Sequence, residues 1–174
     1  MHFARPRAAV CLLMLFSLIG AGCEKTTTFP VRTYPMGDKV ALGHFTYIVF
    51  DTQWLTQLGD GPSARIPQTR FFLVRFSTVN GGSSEAMIPT MTIEDDSGRV
   101  FAELSNGDRV PQWVGFLRPL KPNAQTEGNI VFDAPPAHYK LRIYDENQER
   151  FALIDLPLTF NHETPPDLPS VPTR

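Results

Sequence analysis

The chain has 174 residues, with 16 Lys and Arg against 18 Asp and Glu, two Cys and 16 Pro. A net charge of −2 argues against a nucleic-acid partner, because phosphate binding needs a basic face and no basic run is present. The length allows one domain plus tails.

The first stretch reads as an export signal. Arg5 and Arg7 precede an apolar run from Ala8 to about Ile19, then Gly20, Ala21 and Gly22, with no acid before Glu24. Ala8 to Gly22 is 15 residues, and a membrane-crossing helix needs about 20. Cys23 directly after the small residues resembles the lipobox of bacterial lipoproteins. That resemblance implies cleavage before Cys23, acyl chains on its sulfur and amine, and an extracytoplasmic, membrane-anchored product. Glu24 rather than Asp after the cysteine resembles lipoproteins sorted to an outer membrane, where the host has one. Gly20 stands where the lipobox usually has Leu, so a soluble secreted domain is the alternative. Cys11 leaves with the signal, so the mature domain has no disulfide. Its charge becomes −4, from 14 basic and 18 acidic residues.

Residues 23–34 are polar, Thr-rich and interrupted by Pro30, and read as a flexible tether; a dozen extended residues reach about 40 Å. Phe45 to Trp54 is rich in aromatic and β-branched residues, as a strand should be. Thr69 to Asn80 places Phe72, Val74 and Phe76 on one face and Phe71, Leu73 and Arg75 on the other, and "NGGSSE" ends it. Pro89 within Ala86 to Asp96 points to an edge or bulge. "DDSGR" turns that segment into "VFAEL". "NIVFDAPP" is a short strand, and Tyr139, Leu141 and Ile143 alternate with Lys140, Arg142 and Tyr144. "DENQ" leads into the last strand, "RFALIDLPL". "ELSNGDRVPQWVGFLRPLKPN" has no period and is expected to be irregular. The predicted fold is all-β: an antiparallel immunoglobulin-like sandwich of about seven strands over residues 35–160. Residues 161–174 form a Pro-rich tail expected to be disordered.

The order "MGDKVALGHFTYIVFD", "FFLVRFSTVNGGSSEAMIPTMTIEDDSGRVF", "LKPNAQTEGNIVFDAPP" resembles a bacterial family of secreted immunoglobulin-like domains of unknown function. Its members are often lipoproteins and sometimes carry a misleading telomeric-repeat-binding-factor label; mycobacterial secreted antigens are kin at the level of fold. The resemblance covers about Tyr34 to Phe160, and is poorest in the loop "LTQLGDGPSARIPQ" and around Trp113. It implies a sandwich and an extracytoplasmic role, and no activity.

The sequence shows no catalytic motif. None of its serines sits in G-x-S-x-G, and His44 and His138 have no flanking signature. No C-x-x-C or H-E-x-x-H is present, so no metal and no cofactor is expected. Glu94, Asp95 and Asp96 could suit a hard cation, but acids beside Ser-Gly first make a turn. The better candidates are aromatics on loops: Trp54, Trp113 and Phe116, with Tyr144 on the outward face of its strand, as contacts for a partner. The competing reading makes both tryptophans caps of the core. The function expected is a non-enzymatic, lipid-anchored binding module contacting an envelope protein or glycan. The alternative is a structural or chaperone-like component acting by pairing along a strand edge.

Overall fold

In a computed structural model of the protein, residues 30–158 are described. The expected signal at 1–22, the expected acylation site Cys23, most of the expected tether and the expected 161–174 tail lie outside the described residues. Eleven strands run in order. They are β1 (Thr33–Pro35), β2 (Val40–Leu42), β3 (Phe45–Leu55), β4 (Phe71–Asn80), β5 (Ala86–Met87) and β6 (Thr92–Asp95). Then come β7 (Val100–Ala102), β8 (Pro119–Leu120), β9 (Gln125–Asp133), β10 (Tyr139–Tyr144) and β11 (Phe151–Leu156).

They build the expected all-β sandwich. One sheet has the order β1-β11-β10-β6-β7, the other β2-β3-β4-β9, and β5 and β8 form a separate pair. Among the strand pairs only β1 with β11 is parallel. Its first two residues, Thr33 and Tyr34, are the last two of the stretch read as tether. Pro89 lies between β5 and β6 rather than within a strand, so the predicted segment from Ala86 to Asp96 is divided there.

Alternation fills the space between the sheets. Phe72, Val74 and Phe76 of β4 and Ile130 and Phe132 of β9 face Tyr139, Leu141 and Ile143 of β10 and Ile154 and Leu156 of β11. All of them are buried. Burial of each such side chain contributes on the order of 1.5–3 kcal/mol, and this core does the work that a disulfide would do elsewhere. The Tyr47 hydroxyl crosses the layer and donates to the Tyr144 carbonyl at 2.8 Å. Burial pushes its phenol well above the ordinary range.

β3 contains a bulge. Its register with β4 shifts between Val49 and Asp51, and Phe50 is left 45% exposed. Before the bulge odd-numbered residues face the core; after it Thr52 and Trp54 do, opposite Val74 and Phe72. One inserted residue reverses the faces of everything beyond it.

The β6–β7 and β10–β11 turns share one device. Asp95 Oδ1 accepts from the Ser97 amide and hydroxyl and from the Arg99 amide, while its Oδ2 accepts from Arg99 Nε at 2.7 Å. Asp145 does the same for the amides of Glu149 and Arg150 and for Arg150 Nε. The Ser97 hydroxyl above all, with the Arg99 and Ser97 amides, holds the Asp95 carboxyl well below the usual range.

Candidate functional site

The outer face of β4 is not left to solvent. Phe71 and Leu73 point away from the main core, as their alternation requires, and join Val131 of β9 in a second cluster with Leu58 and Val110. Leu58 belongs to the loop between β3 and β4, and Val110 to the irregular segment between β7 and β8. These two segments, the ones least like the family pattern, therefore meet on one face of the molecule.

The irregular segment is fastened at its base. Glu103 and Arg118, fifteen residues apart, form a buried pair, with Arg118 Nη1 donating to Glu103 Oε1 at 2.7 Å and Nη2 to Oε2 at 3.1 Å. Nη2 also donates to the Pro89 carbonyl at 2.7 Å, and Glu103 Oε2 accepts from the Met91 amide. Burial pushes the Glu103 carboxyl up, and the Arg118 charge opposes it. A loop whose ends meet and whose own side chains fill it is an Ω-type loop, a common carrier of function.

Between these ends the chain runs along β9. Leu104 and Val114 donate amides to the Val131 and Asn129 carbonyls, Asn129 returns its amide to Gln112 at 2.9 Å, and its side chain donates to the Pro111 carbonyl at 2.7 Å. The approach is close enough that a Cβ on Gly128 would lie 2.2 Å from the Gln112 carbonyl oxygen. Two non-glycine residues of the segment, Arg109 (φ 64°) and Gln112 (φ 48°), occupy the left-handed region, a strain that persists only where surroundings enforce it. The edge strand β9 is thereby bonded at Asn129 and Val131 by the protein's own backbone.

The β3–β4 loop clasps the same segment. Leu58 and Arg65 exchange backbone bonds at 2.9 Å, Arg65 Nη1 donates to the Asn106 carbonyl at 2.6 Å, and the Arg109 side chain lies against Gly59. The amides of Gln68 and Thr69 donate to the Asp133 carboxylate. At the crest Ile66 is 68% exposed, an apolar residue that the sequence alone gave no reason to single out.

The four aromatics singled out from the sequence do not form one patch. Trp54, turned inward by the bulge, stacks on Phe72 with ring centroids 4.2 Å apart and meets Tyr139 at 6.1 Å. Trp113 is on the opposite side of that sheet, packed on the second cluster. A Cβ on Gly107 would lie 1.9 Å from its ring. Both tryptophans are half-buried, and the Nε1 of each is buried with no partner among the described residues. Phe116 is also half-buried, on the same segment as Trp113 and beside Leu117, which is 78% exposed. Tyr144 is on the outer face of the other sheet, 6.3 Å from Phe151 between ring centroids.

Below the lobe, register lines up Asp51, Arg75 and Asn129 across β3, β4 and β9, with Gln53 and Leu73 in the next row. These residues and Thr52 line a cleft of about 120 Å³. Arg75 Nη2 pairs with Glu127 Oε1 at 2.6 Å beside it.

The acidic triplet is dispersed among different partners. Asp95 holds its turn, Glu94 accepts from Arg142 at 2.7 Å, and Asp96 meets His138 Nδ1 at 3.0 Å. Among the described residues no group of three or more His, Cys, Asp and Glu is placed to hold a metal. His138 Nε2 meets Asp155 Oδ1 at 2.8 Å, so the ring is gripped from both sides. The hydrogen bond to Asp96 and then that to Asp155 raise its pKa above the ordinary histidine value, against the effect of burial. No helix among the described residues is long and apolar enough to cross a membrane.

Residues 34–149 match the domain of unknown function DUF4352. The chain belongs to the DUF4352 family. The match covers the strands from β2 to β10 and both loop segments over β4 and β9, and ends before β11. Among solved structures the fold is similar to the yjhA protein from Bacillus subtilis, with a TM-score of 0.56 at 12% identity over 71% of this chain and 99% of that one. It is also similar to MPT63, a secreted protein from Mycobacterium tuberculosis, with a TM-score of 0.54 at 11% identity over 75% of this chain and all of the other. At these identities the likeness is one of fold. No curated protein matches the chain.

Proposed function

We propose that this DUF4352 protein is a lipid-anchored extracytoplasmic binding module, without catalysis, that contacts an envelope protein or glycan through the loop-covered face of β3, β4 and β9. The observation that supports this reading is the polarity of the domain. Because β1 runs parallel to β11, Pro30 lies at the end where β11 begins. The β3–β4 loop lies at the other end, where Trp54 and Phe72 meet Tyr139 at the start of β10 and, across the ladder, Leu156 at the finish of β11. A domain held through Cys23 would thus present Ile66 and its lobe away from the membrane. β3 alone is 11 residues, so the lobe stands on the order of 35 Å beyond the attachment end.

Acyl chains on Cys23 would exceed the two-signal requirement for stable anchoring. The experiment is fractionation of the host envelope with mass spectrometry of the mature N-terminus. A diacylated Cys23 in the membrane fraction, lost to the soluble fraction in Cys23→Ala, is the expected result. Unmodified Cys23 with unchanged fractionation would leave a soluble secreted module. Edge pairing is the less supported alternative, because the long β9 edge already carries residues 104–114.

A further inference from the structure

We propose that the cleft bounded by Asp51, Gln53, Arg75 and Asn129 binds a saccharide by gripping neighbouring hydroxyl groups. This rests on the reading of the loop-covered face as the contact face, and it names the ligand class.

The first argument is the hydrogen-bonding capacity left unused. Asp51 spends Oδ1 on the Thr52 amide at 2.8 Å, and its other oxygen has no partner among the described residues. Asn129 spends its amide group on the Pro111 carbonyl at 2.7 Å, leaving Oδ1. Arg75 spends Nη2 on Glu127 at 2.6 Å, leaving the rest of its fork. The Gln53 side chain is exposed and has no hydrogen bond among the described residues, so both a donor and an acceptor remain. An anion would need donors alone and a cation acceptors alone. A hydroxyl donates and accepts at once, and this mixed set suits it.

The second argument is shape. Gln53 keeps both arms of its amide free, and Asp51, Arg75 and Asn129 each keep part of theirs, so neighbouring hydroxyls can be met by different side chains of the row. Asp51, Arg75 and Asn129 stand in one row across three strands. Two inter-strand spacings of about 4.8 Å make that row about 10 Å long, enough for one sugar ring with its hydroxyls. Asn129 is held in the row by its bond to the Pro111 carbonyl of the loop.

The test is an amide chemical-shift titration of the mature domain with glucose, galactose, N-acetylglucosamine and their β-linked disaccharides. The expected result is movement of the amides of residues 51–53, 75 and 129 with at least one probe at millimolar concentration. Gln53→Ala, which removes no internal contact, should weaken that binding about tenfold, the loss of one or two good hydrogen bonds. Ile66→Asp should leave it unchanged. Silence of these amides with every probe, or shifts that Gln53→Ala and Asp51→Asn do not weaken, would overturn the proposal. Envelope crosslinks formed from Ile66 without saccharide shifts would overturn the sugar cleft alone, while shifts at the cleft without such crosslinks would support it and count against the lobe.

Discussion

The guanidinium of Arg118 meets the carboxylate of Glu103 in a two-pronged pair at 2.7 and 3.1 Å, with both side chains almost wholly shielded from solvent. The pair closes the loop that covers the second cluster and borders the cleft.

Removing one partner strands the other charge in the interior, which typically costs 3–5 kcal/mol. Arg118→Ala is therefore expected to lower stability by about that amount in urea unfolding. Replacing both, as in Glu103→Leu with Arg118→Met, should cost much less, because no lone charge remains.

The loop follows β9 because two glycines let it. Gly128→Ala would drive a Cβ into the Gln112 carbonyl, and Gly107→Ala would drive one into the Trp113 ring. Each is expected to cost about 1–3 kcal/mol. Trp113 should become exposed, shown by a red shift of its emission measured in a Trp54→Phe background.

Trp54 packs against the main core. Trp54→Ala is expected to destabilise by about 3 kcal/mol, through loss of the stack on Phe72. Trp54→Phe should recover most of that, and neither should change binding at the lobe except through unfolding.

His138 links the β6–β7 turn, through Asp96, to β11, through Asp155. Its folded pKa is raised, so its contribution is fully present below the ordinary histidine value of about 6.5 and is lost as pH rises through the raised value. Across that window the parent should lose stability relative to His138→Gln, with the two pH profiles converging above it. A constant difference between the profiles would contradict the assignment.

Much of the sandwich was legible because its strands obey period two. Tyr139, Leu141 and Ile143 face inward as their alternation demands, and both hairpin turns carry the Asp-led sequences that build them. Trp54 was not legible. An unbroken alternation from Phe45 would face it outward, and only pairing with β4 reveals the bulge at Phe50. Phe71 and Leu73 looked like the weaker face of a strand, because nothing local says that Leu58 and Val110 come to cover it. The pairing of Glu103 with Arg118 was not legible, since partners fifteen residues apart leave no periodic signal. The cleft was hidden for a related reason: Asp51, Arg75 and Asn129 are strangers in sequence and neighbours only through register.

The central claim is that the loop-covered face, displayed away from the anchored end, makes the envelope contact. A photoreactive amino acid placed at residue 66 of the lobe, and separately at residue 144 on the opposite sheet, tests it in the intact host envelope. The expected result is a specific crosslinked partner from position 66, absent from position 144 and lost when Cys23→Ala releases the protein. A partner captured from position 144 and not from 66 would place the contact on the other sheet and contradict the claim.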